Sequence, residues 1–165
     1  FVPVGGGSLL SGVAIAVKSL SPRTLVIGVE PDGTDVLRSS LLAGTRQVIR
    51  EPGLDGIWVR QLGEEVYRLC DALVDDVITV SSDEIASAIR DCFDDTRSLL
   101  EPHGAISIAG LKKYALAQQR RRAAVVETEA EASGGSLVAI ASDASNIEFD
   151  LLQQFAHEKA SAASQ

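Results

Sequence analysis

Phe1-Val2-Pro3-Val4-Gly5-Gly6-Gly7-Ser8-Leu9-Leu10-Ser11-Gly12-Val13-Ala14 reads as a short apolar strand, a glycine-rich turn and the start of a helix. Three consecutive glycines cost backbone entropy, so the turn must use the freedom or the close approach they allow. With no Cβ in the way, a ligand can come up against the backbone, and successive N–H groups can converge on one anion. The helix adds its unpaired first N–H groups and the positive end of its dipole. A lone glycine would read as a plain tight turn. Gly5-Gly6-Gly7-Ser8 opening a helix reads as a phosphate site.

The loop alone does not name the phosphate. A dinucleotide fingerprint needs G-x-G-x-x-G, but Leu10 stands where the third glycine belongs and Gly12 comes two positions late. A P-loop needs a lysine, and the first one, Lys18, lies deep in the helix. Glu30 does end the next strand, near where a ribose-binding acid would lie, which keeps a dinucleotide reading open.

Outward from the loop, the apolar residues Leu9, Leu10, Val13, Ala14, Ala16, Val17 and Leu20 recur at helical spacing, and Ser21-Pro22 ends the helix. Thr24 to Glu30 is a near-continuous β-branched run, the pattern of a strand covered on both faces. Strand, helix, strand makes a parallel unit. Pro31-Asp32-Gly33 turns into a short helix that begins at Thr34 or Asp35, runs through Leu42 and stops at Ala43-Gly44. Val48-Ile49 reads as a short strand, and Pro52-Gly53 and Asp55-Gly56 as turns around Trp58. Glu64 to Leu73 is a helix and Val77 to Val80 a strand. Ser81-Ser82-Asp83-Glu84 fits a capping box. A helix marked by Ile85, Ile89, Cys92, Phe93, Thr96, Leu99 and Leu100 follows.

Glu101-Pro102-His103-Gly104-Ala105 breaks that helix and opens another, rich in small residues, that runs to Arg120-Arg121-Arg122. Glu127 to Gly135 reads as a surface excursion, Leu137 to Ala141 as another buried strand, and Phe149 to His157 as a last helix. The class is therefore α/β with a mainly parallel sheet. Ligands in such sheets sit beyond the carboxyl ends of the strands, where both the glycine turn and Ser142 fall.

The chain has 165 residues, 45% of them apolar, enough for one domain with a real core. A net charge of −8 argues against a nucleic-acid or anionic-membrane surface. The three arginines read as a solvated helix end. Cys70 and Cys92 lie inside amphipathic helices without ligand spacing and read as buried thiols of a reducing, intracellular compartment. No apolar run reaches the ~18 residues of a membrane helix. Methionine is absent and the chain starts inside an apparent strand, so the expectation is a processed chain or a fragment.

Taken in order, several segments resemble the pyridoxal-phosphate enzymes of the threonine dehydratase group, whose fold is shared with the tryptophan synthase β chain. They are Val2-Pro3-Val4-Gly5-Gly6-Gly7, Ile27-Gly28-Val29-Glu30-Pro31, Asp55-Gly56 with Val59, and Val74-Asp75-Asp76-Val77. Asp83-Glu84-Ile85, Glu101-Pro102 with Gly104-Ala105, and Ala139-Ile140-Ala141-Ser142 complete the set. Asp94-Asp95-Thr96-Arg97-Ser98 and Gly110-Leu111-Lys112-Lys113-Tyr114 look closest to the biosynthetic, isoleucine-pathway branch.

The resemblance implies a three-layer parallel-sheet domain that is incomplete. Residues 1–158 would be the C-terminal part of the cofactor-binding catalytic domain and 159–165 a disordered tail. It implies pyridoxal 5'-phosphate as cofactor, and a lyase that turns L-threonine, or L-serine, into a 2-oxo acid and ammonia. Gly5, Gly6, Gly7, Ser8 and Leu9 match the loop that holds the cofactor phosphate, and Ser142 matches the serine that bonds the pyridine nitrogen. Glu101 matches a glutamate near the ring, with a surface acid before Pro102 as the competing reading. The Schiff-base lysine lies in an N-terminal segment that this sequence does not contain. Lys18, Lys112, Lys113 and Lys159 read as helical and away from the carboxyl edge, so the chain alone is expected to be inactive.

The implied partners are an amino-acid substrate, the missing N-terminal half and a further copy of the chain, with no nucleic acid and no membrane. The expected location is the cytoplasm, with mitochondrion or plastid as alternatives. The departures are Ser8 for a fourth glycine, His103 and Trp58 for small residues, Asp143 for a glycine, and Ser145 as an insertion before Asn146. Val36 replaces the third ligand of a divalent-cation site that some members build with Glu30, so no metal is expected. The alternative to an enzyme is a non-catalytic or nucleotide-binding module that kept the fold.

Overall fold

In the computed structural model the described residues are 1–49, 59–124 and 135–142. Three parallel strands, β1 (Val2–Pro3), β2 (Ile27–Pro31) and β3 (Asp76–Val80), form a sheet in that order. Val2 lies opposite Gly28, and Gly28 opposite Val77. Helix α1 (Ser8–Leu20) links β1 to β2, while α2 (Val36–Ala43) and α3 (Glu64–Leu73) come between β2 and β3. Helices α4 (Ser82–Thr96) and α5 (Pro102–Ala124) follow β3.

The strands are apolar on both faces because both faces are covered. On one, Val2, Val4 and Val77 pack with Leu10 and Ala14 of α1, Val36 and Leu37 of α2, and Cys70 of α3. On the other, Val29 and Val80 pack with Ile85, Ala88 and Ile89 of α4 and with Ala105, Ile106 and Ala109 of α5. This is the three-layer α/β architecture expected from the alternation of buried strands and helices. Local signals hold it in place. The Ser81 side chain accepts from the Glu84 N–H at 3.2 Å while Glu84 accepts from the Ser81 N–H at 2.8 Å, the reciprocal capping box. Gly44 closes α2 at φ 65°.

Helix α5 crosses the strands rather than following them. Its Ser107 meets Ile140 beyond β1, its Gly110 lies on Val29 of β2, and the Lys113 ammonium donates to Thr79 O of β3 at 2.9 Å. A Cβ on Gly110 would stand 2.6 Å from Val29 Cγ2, so this crossing depends on a glycine.

Several expected elements differ. The strand from Thr24 starts at Ile27, and Val48-Ile49 forms no strand, although the Ile49 N–H donates to Arg60 O at 2.9 Å. Helix α4 ends at Thr96, with Arg97 in the left-handed region at φ 59°, so Leu99 and Leu100 belong to the connector. Cys92 is half-buried rather than buried.

The expected buried strand Leu137 to Ala141 is not one. The segment carries no strand geometry, and Leu137 and Val138 are 46% and 66% exposed. It lies along the outer side of β1, where Phe1 N donates to Val138 O at 2.7 Å and the Ile140 N–H donates to Phe1 O at 3.0 Å. That is one parallel bridge, with Ala139 opposite Phe1. The next ladder bond would run from the N–H of residue 3 to Ile140 O, but Pro3 has no N–H, so the ladder stops. The acidic stretch from Glu127, Trp58, Asp143, Ser145, the expected last helix and the tail 159–165 lie outside the described residues. No helix among the described residues is long and apolar enough to cross a membrane.

Gly110→Ala tests the crossing. Forcing a methyl into Val29 should destabilise the fold by about 1–3 kcal/mol, the usual cost of overpacking a core. Urea unfolding measures it, and an unchanged midpoint would mean that α5 does not rest on β2 in this way.

Candidate functional site

The chain leaves β1 at Pro3 but stays on the sheet for one more residue, because the Val4 N–H donates to Val29 O at 2.9 Å. Gly5, Gly6 and Gly7 then turn it into α1. Gly7 is the N-cap at φ 79°, a left-handed conformation that costs glycine nothing. It has a second reason to lack a side chain, since a Cβ there would stand 2.7 Å from Val66 Cγ1 of α3. The first helical bond runs from the Ser11 N–H to Gly7 O at 2.9 Å. The N–H groups of Ser8, Leu9 and Leu10 therefore precede the helical ladder, and no side chain caps them.

Gly6, Ser8 and Leu9 are exposed, and the first turn of α1 carries no acid. The turn thus offers uncapped N–H groups, the positive end of a three-and-a-half-turn helix, and a backbone that side chains do not shield. A phosphate fits this donor set.

Ser142 ends the segment that passes beside β1, and Glu101 precedes the helix tied to that segment. The chain that passes Phe1 at Ala139 reaches Ser142 three residues on, past the last bond that ties it to β1. Glu101 immediately precedes α5, and α5 is tied to this lane by the Ser107 hydroxyl, which donates to Ile140 O at 2.6 Å. Glu101 is only 6% exposed, which rules out the surface-acid reading of that position. Ser142 is exposed. Ser107, taken from sequence only as one of several small residues in a tightly packed helix, is the residue that joins these two parts. The signal that could have found it is Pro3, whose missing N–H leaves a carbonyl to be satisfied by something else.

Each described lysine is engaged. Lys18 Nζ donates to Asp75 Oδ2 at 2.6 Å and to Thr24 O at 2.9 Å, and Lys112 meets Asp91 and Ser87. Lys113, expected away from the carboxyl edge, instead reaches the carboxyl end of β3, where it meets Thr79 O and Glu84 Oε2 at 3.0 Å.

Glu30 is fully buried, and its two oxygens accept the N–H groups of Leu37 and Arg38, both at 2.9 Å. The acid at the end of β2 therefore caps α2 rather than reaching out towards a ribose. Burial pushes its carboxyl up to about 7 in spite of those two N–H donors. Burial, and secondarily the charge of Glu30, pushes the Cys70 thiol up to about 11, which makes that thiol inert.

A parallel α/β domain with an uncapped, glycine-cleared helix N-terminus at a strand's carboxyl end is an architecture that takes phosphate-bearing ligands. The family model for pyridoxal-phosphate dependent enzymes matches residues 1–129, and the chain belongs to that family. It is 49% identical over 117 residues to the L-threonine dehydratase biosynthetic IlvA of Burkholderia multivorans, covering 70% of this chain and 23% of that protein. It is 40% identical over 162 residues to the mitochondrial threonine dehydratase of Saccharomyces cerevisiae, covering 97% of this chain and 26% of that one. The fold superposes on the processed form of threonine deaminase isoform 2 from Solanum lycopersicum with a TM-score of 0.80 and 36% identity. That match covers 94% of this chain and 42% of the other. The chain thus spans about a quarter of the length of these curated relatives.

The Glu30 carboxyl gives a pH test. Its value is raised above that of the unfolded chain, so the folded state holds the proton more tightly. The stability this contributes is full below the ordinary carboxylate range and is lost as pH rises through about 7. Urea midpoints taken at about pH 5 and about pH 7.5 should fall more steeply for the parent than for Glu30→Gln. Equal slopes would contradict the raised value.

Proposed function

We propose that this chain is the C-terminal part of the catalytic domain of a pyridoxal-phosphate-dependent lyase that dehydrates and deaminates L-threonine to 2-oxobutanoate and ammonia. The observation that supports it best is the glycine-cleared N-terminus of α1, set at the carboxyl end of β1 in a fold that superposes on a threonine deaminase. The same reading puts the intact protein in isoleucine biosynthesis, since relatives carry "biosynthetic" in their names. It makes that protein an oligomer completed by a lysine-bearing N-terminal half. Its compartment is taken as the cytoplasm or an organelle interior, which suits two free thiols and a relative named as mitochondrial.

In this reading Gly5, Gly6, Gly7, Ser8 and Leu9 hold the cofactor phosphate through backbone N–H groups, and the Ser8 hydroxyl adds a further donor where a fourth glycine is usual. When bound, the cofactor supplies an electron sink for bonds at the amino acid's α-carbon. Ser142 meets the ring nitrogen as a neutral donor. A hydroxyl there, unlike a carboxylate, does not favour a protonated ring. This tempers the sink and suits loss of a β-hydroxyl. Glu101, buried at the head of α5, is the further residue this reading assigns to the surroundings of the ring. None of the described lysines is placed in the cofactor-bearing role, because each ammonium serves a structural contact.

The 165-residue chain mixed with pyridoxal phosphate and threonine should therefore yield no 2-oxobutanoate above the free cofactor, while the longer lysine-bearing protein turns over. Turnover by the isolated chain would overturn the assignment of the lysine to another segment. In the longer protein, Gly6→Val should weaken cofactor binding by roughly tenfold or more, as loss of one charge-assisted N–H contact implies. An unchanged dissociation constant in an absorbance titration would remove the phosphate from this loop.

A further inference from the structure

We propose that Ser107 is a positioning residue for the cofactor ring. It sets the place of Ser142 by standing in for a hydrogen bond that Pro3 cannot make. This rests on the reading of Ser142 as the ring's partner and adds to it the device that holds Ser142 in place.

The argument starts from the parallel ladder. In such a ladder every second residue of a strand exchanges two bonds with the neighbouring lane. Phe1 makes both of its bonds, from Phe1 N to Val138 O and from the Ile140 N–H to Phe1 O. Residue 3 is next, and its N–H should meet Ile140 O. Proline leaves that carbonyl without its ladder donor. An unpaired carbonyl packed against a helix costs free energy comparable to a lost hydrogen bond.

Ser107 supplies the missing proton. Its hydroxyl, on a fully buried residue of α5, donates to Ile140 O at 2.6 Å. At this point the lane is tied to α5 rather than to β1. Ser142 comes two residues after the bonded carbonyl, so its path starts from a point that α5 holds. Glu101 comes six residues before Ser107, about 9 Å back along the helix by its rise per residue. One hydroxyl therefore fixes the lane that carries Ser142 against the helix that carries Glu101.

The hydroxyl is not explained by the helix itself. Serine is a mediocre helix former, and its side chain competes for backbone partners. A helix that packs through small residues would be served as well by alanine, as at its neighbours Ala105 and Ala109. What alanine cannot do is donate to Ile140 O.

The experiment uses the longer lysine-bearing protein and reads the dissociation constant of pyridoxal phosphate by absorbance titration, together with the fluorescence of the bound cofactor. Thermal midpoints check folding. Ser107→Ala should weaken binding by roughly tenfold, the scale of one buried hydrogen bond with its acceptor left unpaired. In a Ser142→Ala background the same change should cost less than about twofold, because the contact it positions is already gone.

Pro3→Ala added to Ser107→Ala should restore affinity, since the new N–H can take the ladder position opposite Ile140 O. Equal losses in both backgrounds, or no recovery with Pro3→Ala, would overturn the positioning role. If Ser142→Ala weakens binding while Ser107→Ala does not, the positioning role alone fails. If Ser142→Ala leaves affinity unchanged, the ring assignment fails and the positioning role falls with it. Amide exchange gives a cofactor-free check. Val138 to Ser142 should exchange faster in Ser107→Ala and return towards the parent rate with Pro3→Ala. Unchanged exchange would contradict the proposal.

Discussion

The first N–H groups of α1 have no partner within the helix, and the turn before them provides none. Much of the surrounding structure follows from keeping those groups open. Gly7 must adopt φ 79° to aim the helix away from the strand, and Val66 of α3 fills the space that a side chain would have used. The opened terminus is held at the end of β1 by the Val4 bond to Val29 O, and Leu10 and Ala14 anchor the helix in the core behind it. A helix end that is expensive to leave uncapped in water becomes useful when an anion completes it.

The sheet supplies the rigidity this needs. β2 is buried along its whole length, with α1, α2 and α3 on one face and α4 and α5 on the other. Its terminal acid is turned inward to cap α2 through Leu37 and Arg38, which fixes that helix to the strand. Helix α5 crosses rather than follows the strands, and so it touches three separate parts of the structure. Gly110 lets it settle on Val29, Lys113 ties it to the end of β3, and Ser107 ties it to the lane beside β1. Through that last contact the helix headed by the buried Glu101 is joined to the segment that ends at the exposed Ser142.

Much of this was legible because it is local. The glycine run, the capping box at Ser81 and Glu84, the glycine stop at Gly44 and the bounds Glu64–Leu73 all depend on residues a few positions apart. What escaped depends on partners far along the chain. Leu137 to Ala141 has the composition of a buried strand, but a single bridge to Phe1 and a proline in the facing position leave it without ladder geometry. Glu30 stands where a ligand acid would, yet its partners are two N–H groups seven and eight residues on, brought there only when α2 folds back. Glu101 before a proline leaves two readings open, a glutamate near the ring or a surface acid, and only its burial in the fold separates them. Lys113 reaches the carboxyl edge for the same reason.

The central claim is that the backbone of residues 5–9 is the anion site. Amide chemical shifts of the isotopically labelled 165-residue chain, titrated with pyridoxal phosphate and separately with inorganic phosphate, test it most directly. The account predicts that both ligands move the N–H resonances of Gly5, Gly6, Gly7, Ser8 and Leu9 most, and that pyridoxal phosphate alone also moves Ser142. The structure offers a competing location in the groove between α2 and β3, lined by Arg38, Leu41, Asp75, Asp76, Thr79 and Lys113, where the two cationic side chains are the groups to attract the same ligands. Largest shifts in that groove, with the glycine turn unmoved, would contradict the account.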